Sequence, residues 1–188
     1  MKCSVYIATS ADGYIATVDG GVDWLDSAGN AETEEREPMG DGGFSSYLDS
    51  VDCMVMGRRT MEKIASFNLT PDQWPYREIP IHVLSKSVSK APRSLPGNVR
   101  MYSGTIPELY GELERSGFGH VYVDGGATIT SFFQHDLIDE LCVSQAPILL
   151  GGGLPLFGKI GKVVRLSEAK AQVFSNDFIQ WKYTVDKV

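Results

Sequence analysis

Cysteine and histidine are scarce, and neither forms a pattern typical of disulfides or metal sites. The sequence has three cysteines, all within apolar, strand-forming stretches: Cys3, Cys53 and Cys142. An odd number of thiols in such positions indicates buried, reduced side chains. The three histidines have no ligand-like spacing, and we assign them to packing or surface roles: His82, His120 and His135. The sequence therefore predicts no metal site.

Positive charge and long apolar runs are also lacking. With 17 Lys and Arg against 24 Asp and Glu, the formal net charge is −7. This balance argues against a nucleic-acid-binding surface, because attraction to phosphate requires a basic field. No apolar run approaches the ~20 residues of a membrane-spanning helix, and no signal-peptide pattern precedes the first strand-like run. We therefore expect a cytoplasmic protein with neither a nucleic-acid nor a membrane partner.

The length and composition are those of an ordinary globular chain. Its 188 residues favour one domain covering residues 1–188, and its 43% hydrophobic content is enough to build a sizeable core. Ser27–Gly43 is the least regular stretch, and its length predicts a mobile or functional loop. Asn68–Arg77 is a second irregular connection.

Strand and helix patterns alternate along most of the chain. Eight runs have strand length and are rich in β-branched or aromatic residues: Cys3–Thr9, Asp52–Gly57, Ile79–Ser85, Val99–Tyr102, His120–Asp124, Ile138–Pro147, Val163–Phe174 and Phe178–Val185. Four segments have helical character: Gly43–Ser50, Thr60–Ser66, Thr105–Ser116 and Thr128–His135. The alternation favours parallel pairing, whereas the final strands follow one another without a helix. The predicted fold class is α/β, with a mixed, mostly parallel sheet of about eight strands, helices on both faces and an antiparallel C-terminal end.

Four of the predicted strands run into polar or glycine-containing segments: Ala8–Ala16, Val55–Thr60, Val83–Ser87 and Val121–Thr128. In open α/β sheets, ligands bind outside the carboxyl ends of the strands, where helix N-termini point outward. Gly57 and the pair Gly125-Gly126 let the backbone approach a ligand closely and leave N–H groups free. Together with the helix dipole, such groups suit a pyrophosphate.

Three cations lie at neighbouring strand ends in this otherwise acidic sequence: Arg58, Arg59 and Lys86. An arginine fork suits a phosphate monoester such as a 2′-phosphate, so the pattern favours NADPH over NADH. Each feature also has an ordinary interpretation, because glycine pairs and Asp12-Gly13 are common turns and Arg58-Arg59 suits a solvated helix start. No G-x-G-x-x-G fingerprint or Walker motif is present, which argues against Rossmann and P-loop sites. The ordered occurrence of all four segments favours the binding interpretation.

Four stretches of the chain match motifs of one known family. Tyr6–Ala16, followed by Val22–Leu25, is similar to its opening, and Met56–Glu62 matches its Gly-Arg-x-Thr turn. Val123–Ala127 matches its later Gly-Gly turn, and Leu149–Phe157 resembles the glycine-rich loop of one branch. The sequence thus resembles dihydrofolate-reductase-like proteins, and more narrowly the reductase domain of riboflavin biosynthesis and its stand-alone relatives. The resemblance spans nearly the whole chain.

This resemblance implies a set of cofactor and substrate contacts. The nicotinamide would be lined by two residues, Ala8 and Ile15. The phosphates would be held by one turn, with Arg58 nearest the 2′-phosphate: Gly57, Arg58, Arg59 and Thr60. The adenosine would be flanked by Leu84, Ser85 and Lys86, and the pyrophosphate covered by Gly125, Gly126, Ala127 and Thr128. The substrate would be bound by Trp24, Asp124 and Gly152.

The chain departs from the family pattern at two places. Dihydrofolate reductases place a lone carboxylate on the helix after the Trp loop, whereas here Glu37, Asp41 and Asp49 compete for that position. Riboflavin reductases often end the strand before the glycine pair in glutamate, whereas this chain has Asp124. We take Asp12, at the rim of the expected pocket, as the candidate catalytic acid, with a purely structural turn as the alternative.

The sequence therefore predicts an NADPH-dependent reductase of a pterin or ribosylaminopyrimidine type of substrate, resembling 5-amino-6-(5-phosphoribosylamino)uracil reductase. The alternatives are a non-catalytic NADPH-binding sensor or scaffold, and a dihydrofolate reductase. The resemblance further implies a homodimer, for which the late strands offer an apolar face: Ile138, Leu141, Val143, Ile148 and Leu149.

Overall fold

A mixed eight-stranded sheet forms the centre of the protein, in a computed structural model that describes residues 1–31 and 35–187. The strands are β1 Lys2–Thr9, β2 Tyr14–Ala16, β3 Cys53–Gly57, β4 Ile81–Leu84, β5 Val99–Tyr102, β6 His120–Asp124, β7 Glu140–Gln145, β8 Leu154–Pro155, β9 Leu166–Val173 and β10 Ile179–Val185. The helices are α1 Phe44–Asp49, α2 Arg58–Ser66, α3 Ile106–Arg115 and α4 Gly126–Gln134. Short 3₁₀ helices cover Asp23–Ser27 and Pro71–Gln73.

The strand order of the sheet is β5-β4-β3-β6-β1-β7-β10-β9. The first six of these strands are parallel, and β10 runs antiparallel to both β7 and β9. The predicted mixed sheet with an antiparallel C-terminal end is therefore confirmed. A separate ribbon of β2 and β8 was not predicted. Its two strands are three and two residues long, which is too short for an alternating pattern to be recognised in the sequence.

Helices cover both faces of the sheet and close two apolar clusters. Leu109 and Leu113 of α3 and Phe132 of α4 pack on one face, whereas Met61 of α2 and Leu48 of α1 pack on the other. Strand β3 contributes to both clusters in alternation, because successive side chains of a strand point to opposite faces. Cys53 and Val55 join the first cluster, and Met54 and Met56 join the second.

Helix starts differ in how well the sequence marked them. Helix α3 begins at the predicted place, because Thr105 accepts the Glu108 N–H in a capping box. Helices α2 and α4 each begin two residues earlier than predicted, at Arg58 and Gly126. Their N-caps are Gly57 and Gly125, which have no side chain to cap the helix and so leave no capping signal in the sequence.

Several predicted strands were longer than the strands themselves, and two of them exceeded the strands by four residues. The predicted strand 163–174 is ordered as β9 only over Leu166–Val173, and 138–147 is ordered as β7 over Glu140–Gln145. All three thiols are buried, and burial raises the pKa of Cys3 to about 12. Within the described part of the chain, no helix has the length and apolarity needed to cross a membrane.

The fold corrects part of the prediction of an apolar dimer face. Ile138, Leu141 and Val143 are at most 1% exposed and belong to the core of this chain, so they are not free to bind a second subunit. Ile148 packs against a smaller core cluster, and only Leu149 projects into solvent, with 71% of its surface exposed. Of the predicted loop 27–43, residues 32–34 lie outside the described residues.

Candidate active site

The carboxyl ends of the parallel strands meet at one edge of the sheet. Gly57 of β3 pairs with Leu84 of β4, and Met56 pairs with Asp124 of β6. This register places the polar segments predicted from sequence side by side. Thr9, which ends β1, lies at the same edge because β1 and β6 are parallel neighbours.

Two helix N-termini lie together at this edge. The side chain of Thr60 in α2 packs against Gly125, and that of Thr128 in α4 packs against Gly57. A Cβ at Gly57 would lie 2.9 Å from Thr128 Oγ1, so glycine permits the close approach of the two helices. Because the dipole of each helix places positive partial charge at its N-terminus, the pair attracts an anion.

The three cations predicted from sequence lie at neighbouring strand ends: Arg58 and Arg59 begin α2, and Lys86 follows the end of β4, which pairs with β3. Arg58 Nη1 donates to both oxygens of Glu62, at 2.7 and 2.9 Å. Arg59 and Lys86 are exposed and form no ion pair among the described residues. Ser85 Oγ accepts the N–H of Val88 at 2.9 Å, which fixes the turn that carries Lys86. The edge therefore combines two helix N-termini with charge that is available to an anion.

Asp124 is the acid at this edge whose environment most favours the neutral form. Burial raises its pKa to about 6, opposed by a hydrogen bond from the Gly125 N–H. The pKa values of two neighbouring phenols, Tyr76 and Tyr122, are raised mainly by burial. The negative charge of Asp124 raises them further. Asp124 thus lies between the paired helix starts and an aromatic wall.

That wall, here called the aromatic cluster, consists of five rings: Tyr6, Phe44, Tyr47, Tyr76 and Tyr122. Tyr6 stacks on Tyr47 with ring centroids 4.6 Å apart, and Tyr122 meets Tyr47 edge-on at 5.2 Å. Phe44 contacts both Tyr76 and Tyr122. The Tyr6 hydroxyl donates to the Gly42 carbonyl. The cluster therefore joins β1, β6 and helix α1 beside Asp124.

An open cleft of about 400 Å³ adjoins the end of β1. It is lined by Ala8, Leu25, Asp26, Gly29, Asn30, Met39, Asn176 and Phe178. The family resemblance implies a nicotinamide contact for Ala8 and Ile15, of which only Ala8 is in this lining. Trp24, predicted to bind substrate, is absent from the lining and packs in the cluster of Ala28 and Phe178. Its buried indole N–H has no partner among the described residues.

The turn between β9 and β10 holds one wall of this cleft in place. Asp177 accepts from Asn30 Nδ2 and from Arg36 Nη1, each at 2.8 Å. The backbones are joined as well, since Asn30 N donates to Asn176 O at 3.0 Å and Ser175 N donates to Glu37 O at 2.9 Å. We call this set of contacts the clasp. Sequence reasoning missed it, because nothing local in 175–177 indicates a contact with residues 141 and 147 positions earlier.

Asp12, the predicted catalytic acid, is engaged in the turn that follows β1. Its carboxylate accepts from Ser10 Oγ at 2.6 Å, Leu150 N at 3.1 Å and Gly151 N at 2.7 Å. These hydrogen bonds, that from Ser10 first, hold the pKa of Asp12 below its usual value. An ionised carboxylate has no proton to donate at neutral pH, so the geometry favours an anchor for the glycine-rich loop.

The remaining predicted residues lie around the same edge. Ile15, in β2, lies 3.3 Å from the position a Cβ on Gly126 would occupy, and Ala127 is exposed on the first turn of α4. A Cβ on Gly126 would also lie 2.5 Å from the Pro155 carbonyl, so packing against β8 already requires glycine there. Gly152 lies in an open loop with nothing within 4 Å of its Cβ position.

The sheet order and the paired helix starts define the class of protein as a dihydrofolate-reductase-like α/β protein. The model of the RibD C-terminal domain family matches residues 2–180, and the chain belongs to this family of reductase domains.

Individual relatives agree with this assignment. The uncharacterized protein YwjB of Bacillus subtilis (strain 168) is 31% identical over 166 residues, which cover 88% of this chain and 87% of YwjB. A crystal structure from Shewanella sp. PV-4, of a protein assigned to riboflavin biosynthesis, is 36% identical with a TM-score of 0.86 and full coverage of both chains. A pyrimidine reductase-like protein from Corynebacterium diphtheriae shares the fold, with 18% identity, a TM-score of 0.67 and coverage of 100% of this chain and 92% of that one.

Proposed function

We propose that the protein is an NADPH-dependent reductase of a small heterocyclic substrate of the pterin or ribosylaminopyrimidine type. The observation that carries this proposal is the meeting of two helix N-termini and three cations beside Asp124 at one edge of the sheet. Membership of a reductase-domain family and the 36% identical protein assigned to riboflavin biosynthesis support the reaction class.

The residues at this edge suit a dinucleotide with an additional phosphate. The starts of α2 and α4, with Thr60 and Thr128 between them, suit a pyrophosphate, because free N–H groups and both dipoles point toward it. Arg58 suits the 2′-phosphate, with Arg59 and Lys86 adding charge nearby. Leu84 and Ser85 follow the neighbouring strand and would flank the adenosine, while Ala8 and Ile15 would border the nicotinamide.

NADPH, when bound, supplies a hydride to the acceptor. The protein contributes binding, orientation and exclusion of water. Leu25, Met39 and Phe178 give the cleft apolar wall, and Asp26, Asn30 and Asn176 give it hydrogen-bonding groups. A substrate that combines a flat ring with a polyol chain would use both kinds of wall.

Asp124 is the residue we assign to proton handling and substrate contact in place of Asp12. With a pKa of about 6, it exchanges a proton near neutral pH and can either donate to or accept from a substrate hydroxyl or ring nitrogen. Asp12 lacks this capacity because three hydrogen bonds already stabilise its ionised form.

Dihydrofolate reduction has less support, because two of its three candidate acids, Asp41 and Asp49, have other partners. Asp41 accepts the N–H groups of Gly43 and Ser45 at 2.8 and 2.9 Å and so caps the start of α1. Asp49 is paired with Arg77 at the end of that helix. Neither carboxylate is left free to assist protonation of a pterin.

The test is a titration of the purified protein with NADPH and with NADH, in wild type and in Arg58→Ala. We expect micromolar NADPH binding, a clear preference over NADH, and loss of that preference in Arg58→Ala. Arg115→Ala is the matched control, because it removes an arginine from the C-terminal end of α3, at the opposite edge of the sheet. Absence of binding by either nucleotide would reject the proposal. NADPH oxidation with ribosylaminopyrimidine and dihydropterin acceptors then separates turnover from binding alone.

A further inference from the structure

Arg58 is held by one partner while part of its guanidinium stays available. Only Nη1 contacts Glu62, with N–O distances of 2.7 and 2.9 Å to the two carboxylate oxygens. Nε and Nη2 make no hydrogen bond within the described residues. The side chains of Arg58 and Glu62 remain 38% and 45% exposed. The pair therefore holds one end of the fork and leaves the donors of the other end without a hydrogen-bond partner in the described part of the chain.

Helix stability does not account for this ion pair. Arg58 is the first residue of α2, where the dipole disfavours a cation, and Glu62 lies one turn further along. An acid four residues before a base stabilises a helix better than this reverse order. Pairs as exposed as this one also contribute little to folding. The arrangement thus has its main effect on where the Arg58 guanidinium lies.

The position of Arg58 matters because it stands beside the paired N-termini of α2 and α4. An unrestrained arginine samples many rotamers, and ordering it on binding reduces affinity. A side chain already held through Nη1 loses less freedom when a phosphate binds to its remaining donors. A supporting residue that holds a ligand-contacting side chain in place commonly makes the geometry of a binding site more precise.

We propose that Glu62 is a positioning residue for 2′-phosphate selectivity: it holds Arg58 so that Nε and Nη2 meet the phosphate monoester of NADPH. The inference rests on the proposed function and names a residue that sets cofactor choice without touching the cofactor. Two effects of Glu62 oppose each other, since its negative charge repels the phosphate while its hydrogen bonds order the arginine. The proposal is that ordering outweighs repulsion.

The test separates these two effects with two substitutions at one position. Glu62→Ala removes both the charge and the acceptor, whereas Glu62→Gln removes the charge and keeps an oxygen acceptor for Arg58 Nη1. We expect Glu62→Ala to weaken NADPH binding about fivefold, since ordering a long side chain has about that effect, and to leave NADH binding within about twofold. Glu62→Gln should restore NADPH binding to the wild-type level or better. Glu78→Ala, an exposed acid before β4 at the other edge of the sheet, controls for net charge.

Each other outcome overturns the inference in a recognisable way. If Glu62→Ala binds NADPH as tightly as wild type, or more tightly, repulsion dominates and Glu62 is no positioning residue. If Glu62→Ala weakens NADPH and NADH equally, or Glu62→Gln fails to restore binding, the residue acts through general structure. A wild-type protein that binds neither nucleotide rejects the proposed function itself, and the inference with it. Wild-type NADPH binding with an unchanged Glu62→Ala rejects the inference alone.

Discussion

Among single residues, Asp124 couples the site to the stability of the fold. Its pKa in the folded protein, about 6, lies above the usual 3.8 because burial disfavours the charged form. The folded state therefore holds this proton more tightly than the unfolded chain does. The free energy of unfolding therefore falls as pH rises from about 4 to about 6 and then levels off.

Asp124→Asn should remove this penalty. We expect the free energy of unfolding at pH 8 to rise by about 1–3 kcal/mol, with little change at pH 4, where Asp124 is already protonated. Urea denaturation at pH values from 4 to 8 measures the effect. Asp72→Asn, at an exposed position, should leave the pH profile as it is in wild type. Equal curves for wild type and Asp124→Asn would show that the carboxyl is well solvated in the folded protein.

Gly125 is the residue on which the pairing of the two helix starts depends most. Its φ is +88°, and a Cβ would collide with Thr60 Oγ1. We expect Gly125→Ala to destabilise the protein by about 2 kcal/mol or more, and to abolish NADPH binding by separating the helices. Gly117→Ala is the matched control, because φ is +86° there but no atom lies within 4 Å of the position that its Cβ would occupy. It should show only the backbone strain, about 1 kcal/mol. Equal losses in thermal denaturation would mean that the collision has no effect.

The sequence predicted where these residues lie better than it predicted what they do. Gly57, Arg58 and Asp124 were predicted at one edge, because strand and glycine patterns are local and parallel strands bring their ends together. The role of Asp12 could not be read in the same way, since its partners Leu150 and Gly151 are 138 and 139 residues away. A turn carboxylate and a catalytic one have the same local sequence.

At the scale of elements, the clasp connects the β9–β10 turn to the cleft wall. The Arg36–Asp177 pair is about half exposed, with side-chain exposures of 45% and 46%. Hydrogen bonds from Asn30 and Arg36 hold the pKa of Asp177 below its usual value. Salt should weaken this contact because the charges are exposed to solvent.

Asp177→Asn should loosen the clasp without unfolding the protein. Asparagine tolerates the left-handed backbone of this position, where φ is +64°, so the turn itself is retained. We expect hydrogen exchange of the Asn30 and Ser175 amides to accelerate about twofold, as for loss of one exposed ion pair. Arg36→Gln should have the same effect, and the double variant should add nothing to it. Unchanged exchange in both single variants would show that the backbone hydrogen bonds alone hold the wall.

Element prediction succeeded where the signal was local. The helical spacing of apolar residues predicted α3 to within one residue at each end, whereas α2 and α4 start after glycines that carry no cap and were predicted two residues too late. The parallel orientation of the early strands followed from their alternation with helices, and the antiparallel end followed from the change of pattern near the C-terminus. The order of the strands in the sheet was not predicted. The clasp and the β2–β8 ribbon depend on contacts between distant segments, which periodicity does not encode.

At the scale of the whole molecule, the outer edge of the sheet is its least covered part. Strand β9 is the last in the order, and all but one of its residues are exposed. Trp181 of β10 packs against the cluster beneath α3 and α4, which places its cross-strand partner Ala171 on that face. Val173 and Ile179, the next pair on this face, are 44% and 39% exposed. We call Ala171, Val173 and Ile179 the apolar row. An unpaired strand edge beside such a row favours association with another chain.

We propose that a second copy of the chain covers this row, giving a homodimer with the same surface on both subunits. Ile179→Lys should then yield a monomer in analytical ultracentrifugation, with its circular dichroism spectrum unchanged. A charge placed in the centre of an apolar contact must be desolvated without a partner, and this outweighs what the remaining contacts contribute.

Gln172→Lys puts the same charge on the opposite face of β9 and should leave the dimer intact. If wild type sediments as a monomer at tens of micromolar, or if both variants dissociate alike, the row is not the interface. In the first case the exposed edge is protected by its own charged residues, among them Glu168 and Lys170 on β9, which discourage strand pairing with another chain.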